Sequence, residues 1–135
     1  MNGEQLETFR HLLEAEADLV EGMADSQTEG LEALRERFVH EEFLRMVQAK
    51  REGMEQLAKS REAMRPLTAA WIQARNNASF SDPEVESSLE RLRSAFDRVR
   101  SAEDEIEAMA TAYLARVAGE TGSVEERIRL HRSWT

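Results

Sequence analysis

Hydrophobic residues recur at alternating spacings of three and four from Val85 to Val117. This is the a and d pattern of heptads. It places an apolar stripe along one side of a helix, and another helix must cover that stripe. Glu103 is the only charged member of the stripe. The full set is Val85, Leu89, Leu92, Phe96, Val99, Glu103, Ile106, Ala110, Tyr113 and Val117. The pattern predicts an all-α fold of long, mutually packed helices.

A first helix is predicted from Glu4 to about Ala24, with its apolar residues on one face. A break is predicted over residues 25–29, where Ser26 and Glu29 have the spacing of a capping box. In a capping box, two side chains satisfy backbone donors at the start of a new helix. The sequence therefore indicates that the first helix ends here.

The second helix is predicted to start near Gln27 and to carry an apolar stripe as far as Trp71. Proline removes a backbone donor and clashes with the preceding turn, so we expect a kink or a short break beside Pro66. The third helix should run from Pro83 to about Ala118, since a cap residue and proline precede acidic residues there.

Two long helices joined by a short loop pack antiparallel, and the first helix must then bury its own stripe on that hairpin. We therefore predict an elongated antiparallel helical hairpin within a three-helix coiled-coil bundle over residues 1–118. Residues 119–135 are predicted to form a C-terminal tail, with a short helix from about Val124 to His131.

Composition narrows the function classes. Charged residues make up 33% of the 135 residues, and the formal net charge is −9. Such a surface repels nucleic acid and anionic membranes, so the expected partner is a protein. No apolar run approaches the about 20 residues of a membrane span, and the N-terminus lacks the features of a signal peptide. We therefore expect a cytoplasmic protein.

Patterns of catalytic or metal-binding residues are missing from the sequence. The chain has no cysteine, so thiolate nucleophiles and cysteine-ligated zinc are excluded. None of the three histidines follows a glutamate by three residues, as a di-iron bundle would require. Nucleophile and phosphate-binding motifs are also missing. We predict a protein with no catalytic residues, no metal ligands and no cofactor.

Charged residues at heptad positions can be interpreted in two ways. Glu103 lies in the stripe of the third helix, and Lys50 and Arg61 lie among apolar residues of the second. Polar groups at such positions can fix register and partner number. Alternatively, their long stems cover apolar surface while the charged groups reach water. The sequence leaves both interpretations open.

The layout resembles the FlgN-like flagellar export chaperones over roughly Leu6 to Val117. These are small, acidic, all-helical proteins whose first helix is rich in leucine and glutamate. Here the corresponding stretch, residues 11–20, reads HLLEAEADLV. The family's long second helix contains a lysine-bearing stretch, which here, at residues 47–57, reads VQAKREGMEQL. A third long helix completes the antiparallel coiled coil.

This resemblance implies a cytoplasmic chaperone that captures amphipathic C-terminal helices of hook–filament junction proteins before export. An exposed apolar stripe would take up the substrate helix. We predict that this stripe lies toward the end of the third helix, with Trp134 as a movable cover. The candidate residues are Ile106, Met109, Tyr113, Val117 and Trp134. The alternative is a structural coiled coil or adaptor without an export client, which associates with itself, for example as a homodimer.

Overall fold

Three long helices make up most of the computed structural model, which describes residues 1–78, 80–121, 128–129 and 131–133. The helices are α1 (Gly3–Glu36), α2 (His40–Ala78) and α3 (Pro83–Thr121). No strand occurs among the described residues, so the all-α prediction is confirmed. Residues 128–129 and 131–133 are also helical, and the rest of the predicted last helix lies outside the described residues.

Helix α1 begins with a capping box and continues well past the predicted end. The Asn2 side-chain oxygen accepts a hydrogen bond from the Gln5 N–H at 2.8 Å, and the Asn2 N–H donates to Gln5 Oε1 at 3.0 Å. The helix then continues without interruption to Glu36. The predicted break over residues 25–29 is therefore wrong.

The reason for this continuity is an uninterrupted row of inward-facing residues, which we call the α1 seam. Within the region of the predicted break, Gln27 and Gly30 are both buried. A Cβ at Gly30 would approach Met46 Sδ to 2.5 Å, so this glycine permits close helix packing and does not end the helix. The α1 seam has spacings of three and four throughout and comprises Phe9, Leu13, Glu16, Val20, Met23, Gln27, Gly30 and Leu34.

The chain reverses direction at residues 37–39, where the sequence contains none of the usual turn residues. Arg37 has an extended backbone (φ −156°, ψ 124°), and its N–H donates to the Ala33 carbonyl at 3.2 Å. Helix α2 then passes through Pro66 without a break. Pro66 is exposed, while Met64 and Trp71 on either side are buried in the core. Packing on both sides holds the helix together despite the missing donor.

The predicted start of α3 is confirmed. Asp82 Oδ1 accepts hydrogen bonds from the N–H groups of Glu84 and Val85, both at 3.1 Å. Pro83 occupies the first helical position, where no N–H donor is needed. The helix extends to Thr121, slightly beyond the predicted end.

Helix α1 is the central element of an up-down-up bundle. The ion pairs Arg10–Asp82 and Arg35–Glu105 occur in the same order along α1 and α3, so these two helices are parallel. Helix α2 is antiparallel to both and packs on α1, whereas close backbone approaches between α2 and α3 are sparse. The predicted three-helix bundle with antiparallel α2 and α3 is thus confirmed, and its close backbone contacts are made mainly by α1.

Small residues bring α1 and α3 together. Ala24 of α1 and Ala95 of α3 are 0% and 1% exposed. On α3 the predicted stripe divides: Val85 is fully buried, while Leu89 and Phe96 are only partly buried. Because the small residues allow close approach to α1, the larger ones lie to the side. The buried small residues of this interface are Ala17, Ala24, Ser88, Ala95 and Ala102.

Candidate functional site

An open groove runs between α2 and α3, with α1 as its floor; we call it the α2–α3 groove. Residues seven apart on each helix form its walls. On α2 the lining residues of this column are Val47, Arg61, Thr68 and Arg75, and on α3 they are Leu89, Phe96, Glu103 and Ala110. Val47 and Ile72, which also line the groove, are 37% and 52% exposed. The groove is thus an apolar surface that the described residues leave uncovered.

The larger part of this groove, the wide opening, has a volume of about 1060 Å³. Its floor is aromatic and aliphatic, since Phe9 and Trp71 lie there with their ring centroids 5.8 Å apart. Ile72 stands exposed on its edge. Four arginines and two glutamates also line it: Arg61, Arg65, Arg75, Arg93, Glu16 and Glu62.

Glu16 is the unusual member of the wide opening. Its side chain projects from the α1 seam and is only 4% exposed. Arg61 Nε lies 3.7 Å from Glu16 Oε1, and that oxygen has no hydrogen-bond partner. Burial raises the pKa of the Glu16 carboxyl, and the nearby Arg61 charge opposes this shift only in part. The Arg61 guanidinium itself lies 5.3 Å from the centroid of the Phe96 ring.

The core consists of two hydrophobic clusters, one that includes Phe9, Leu57 and Val99 and one that includes Leu31, Phe43 and Ile106, and a polar layer lies between them. Gln27 of α1 is buried, and its Oε1 has no hydrogen-bond partner. Lys50 of α2 forms an ion pair with Glu103 of α3, with side chains 38% and 36% exposed. The exposure of this pair agrees with the interpretation that the charged groups reach water. The interpretation that they fix register and partner number stays a prediction. This ion pair spans the gap between α2 and α3. Apolar residues at the same positions would close that gap.

A second, narrow opening of about 370 Å³ lies beside this polar layer. Phe43 and Val47 of α2 and Ile106 of α3 line it together with Gln27. His131, from the described part of the C-terminal segment, lines it as well. The α2–α3 groove therefore has two openings, each with a buried polar side chain of α1 in its lining.

The predicted binding stripe lies mostly outside this groove. Ile106 is 9% exposed and belongs to the core, although it also lines the narrow opening. Met109, Tyr113 and Val117 line a separate shallow depression at the end of the bundle, together with Phe38, which we call the terminal depression. The Tyr113 ring stacks on that of Phe38 with centroids 4.5 Å apart. Trp134, the proposed cover, lies outside the described residues.

Two buried polar residues of the groove, Glu16 and Gln27, were not among the residues predicted from the sequence. Both lie in the α1 seam at positions where the neighbouring members are apolar. Glu16 interrupts the apolar spacing within the predicted first helix, between Leu13 and Val20. Gln27 falls in the predicted break, which concealed that it continues the same stripe.

Within the described part of the chain, no group of three or more His, Cys, Asp or Glu residues could hold a metal ion. Among the same residues, no helix has the length and hydropathy that crossing a bilayer requires. The described surface has the α2–α3 groove, the terminal depression and two smaller cavities of about 360 and 250 Å³ between α1 and α2.

The sequence matches no protein-family model, and it has no match among curated proteins or solved structures. The fold and the groove define the class of this protein as an all-α helical bundle. The resemblance to the FlgN-like chaperones stays a prediction.

Proposed function

We propose that this chain binds an amphipathic helix of a protein partner in the α2–α3 groove. The observation that carries the proposal is the groove itself: exposed Ile72 borders the wide opening, whose floor contains Phe9 and Trp71, and exposed Val47 lines the narrow opening. An amphipathic helix buries its apolar face in such grooves, and a contiguous exposed apolar surface is characteristic of interaction sites. A bound helix would become the fourth member of the bundle.

The partner we propose is the C-terminal helix of a hook–filament junction protein, held before export in the cytoplasm. The size, acidity and helix order that resemble the FlgN-like chaperones support this choice. The groove supports the mechanism, since it offers a place for such a helix. The predicted residues Met109, Tyr113 and Val117 would extend the contact into the terminal depression if the client helix is long enough.

Tryptophan fluorescence tests the proposal directly, because Trp71 lies on the floor of the wide opening. In a Trp134→Phe variant, Trp71 is the remaining tryptophan. Titration with a synthetic peptide of the C-terminal helix of a junction protein should shift its emission and saturate at one peptide per chain. Ile72→Glu should weaken binding at least tenfold, because it places a charge against the apolar face.

The matched control is Gln73→Glu, which adds the same charge one residue away on an exposed position that does not line the groove. Equal binding by wild type and Ile72→Glu would overturn the proposed site. Val117→Glu tests the terminal depression separately, since that residue lies outside the groove. If the chain instead forms a homodimer that Ile72→Glu dissociates and no peptide binds, the structural coiled coil is the correct alternative.

A further inference from the structure

The Glu16 side chain lines the wide opening, and one of its two carboxylate oxygens, Oε1, is buried there without a hydrogen-bond partner. A carboxylate can accept about four hydrogen bonds, yet Glu16 Oε1 has none, and the nearest Arg61 nitrogen is beyond hydrogen-bond distance at 3.7 Å. Arg61 is 56% exposed and extends toward the groove edge, where it lies over Phe96. A buried acceptor in this state is expected to gain from any donor that enters the groove.

The other cations of the wide opening are engaged elsewhere. Arg65 pairs with Glu62 at 2.7 Å, on its own helix. The remaining two also have acidic partners: Arg75 pairs with Glu86 at 3.2 Å and Arg93 with Glu90 at 3.5 Å. These pairs are at the exposed edge of the groove, whereas Glu16 is on its floor. The arginines of the protein therefore leave Glu16 Oε1, on the groove floor, available to a donor from a ligand.

We propose that the helix bound in the α2–α3 groove carries a lysine or arginine within its apolar stripe, and that this cation hydrogen-bonds to the Glu16 carboxylate. The inference rests on the proposed function and specifies the chemistry of the partner. Acidic residues on the flanks of the same helix would face the four arginines that line the wide opening. The expected partner is thus an amphipathic helix. One central lysine or arginine interrupts its apolar stripe, and acidic residues border that stripe.

Two physical effects favour such a partner. Glu16 is already desolvated in the free protein, so the incoming cation forms a charge-assisted hydrogen bond without adding that desolvation. An uninterrupted apolar helix would instead cover the carboxylate without supplying a donor, and Glu16 Oε1 would stay buried without a hydrogen bond. Glu16 therefore selects among amphipathic helices by disfavouring the purely apolar ones.

The test uses synthetic amphipathic helices of about 21 residues, which correspond to roughly six turns. Each has leucine at the a and d positions and glutamate on the flanks. Three peptides carry lysine at one of three central stripe positions, and their twins carry norleucine there. Affinities for wild type are measured by calorimetry, after sedimentation has established that the peptides are monomeric. At least one lysine peptide should bind about tenfold more tightly than its norleucine twin.

Two variants assign this preference to Glu16. Glu16→Gln should abolish the tenfold difference, while the control Glu62→Gln, at the exposed edge of the same opening, should retain it. Circular dichroism melting establishes that both variants are folded.

Equal affinity of lysine and norleucine peptides for wild type would overturn the inference while leaving groove binding intact. Retention of the preference in Glu16→Gln would overturn it as well. If no peptide binds, or if Ile72→Glu leaves peptide affinity unchanged, groove binding itself fails and the role of Glu16 fails with it.

Discussion

The α1–α3 and α2–α3 interfaces contain similar heptad patterns but differ in how closely the helices approach. Between α1 and α3 the inward positions are small, as at Ala24 and Ala95, and the helices pack closely. Between α2 and α3 the facing residues are long or charged, as at Arg61 and Glu103, and a groove remains. Heptad spacing alone therefore specifies which faces meet, while residue size and charge determine whether the interface closes.

The ion pairs of the α1–α3 interface also differ from the one that joins α2 and α3. Along the α1–α3 interface, Arg91 donates to Glu21 at 3.1 Å and to Asp18 at 2.6 Å. Arg98 Nη2 lies 2.6 Å from Asp25 Oδ1. The hydrogen bond from Arg91 lowers the pKa of the Glu21 carboxyl. These pairs border an interface that apolar contacts already close, whereas Lys50–Glu103 spans an open one.

The largest expected effect comes from enlarging a residue in the closed interface. Ala95→Leu should lower the free energy of unfolding by about 2–3 kcal/mol, because Ala95 is 1% exposed and α1 leaves no room for the added atoms. Ala58→Leu makes the same change on the exposed side of the groove and should alter stability by less than about 0.5 kcal/mol. Urea denaturation measures both. Equal losses would contradict the distinction between closed and open interfaces.

Removing the polar contacts at the start of α3 should have the next largest effect. Asp82 caps the helix and pairs with Arg10 of α1, so Asp82→Ala should lower stability by about 1–2 kcal/mol. The Arg10 hydrogen bond holds the Asp82 pKa below its ordinary 3.8. This stabilisation is therefore complete above about pH 4 and is lost as pH falls through the lowered pKa.

The measurement is chemical denaturation of wild type and Asp82→Ala across pH 2–7. The stability difference should narrow at the acidic end. A difference that stays constant down to pH 2 would exclude the Arg10–Asp82 charge interaction as its source.

A substitution on the groove floor, Glu16→Gln, is expected to have a smaller effect and to raise the free energy of unfolding. Burial raises the pKa of Glu16 above its ordinary 4.5, so deprotonation favours the unfolded state. The destabilisation by the ionised Glu16 carboxylate begins as pH rises past about 4.5, and it is complete above the raised pKa of the folded protein. Glu16→Gln should therefore stabilise the free protein by about 1 kcal/mol at pH 7 and by much less at pH 4. Thermal melts at the two pH values measure this, and a destabilised variant at pH 7 would contradict it.

Local sequence signals correctly predicted where α3 begins, but they wrongly predicted where α1 ends. The start of α3 was predictable because Asp82 and Pro83 act on their immediate neighbours. At residues 25–29 a local capping signal lost to tertiary packing, since burying Gln27 and Gly30 against α2 favours a continuous helix. The real turn at residues 37–39 escaped prediction because it lacks glycine, proline and asparagine.

The sequence predicted the charged residues that line the groove, but it did not predict the groove itself. The sequence identified Lys50, Arg61 and Glu103 as charges in apolar stripes, but not their partners. Pairing depends on which faces the three helices present to one another, and that depends on the closed α1–α3 interface. Glu16 pairs with Arg61 and Lys50 with Glu103 because α1 is the central helix.

The smallest expected effect concerns Lys50–Glu103, the pair that bridges the open interface. Both side chains are more than one-third exposed, so solvent screens their attraction. A double-mutant cycle with Lys50→Ala and Glu103→Ala should give a coupling of about 0.5 kcal/mol by urea denaturation. The control cycle at Arg35–Glu105, a similarly exposed pair of the closed interface, should give a coupling of about the same size. A coupling above about 2 kcal/mol for Lys50–Glu103 alone would mean that this ion pair holds α2 and α3 together, and the groove would then be a rigid part of the bundle instead of a surface open to a partner helix.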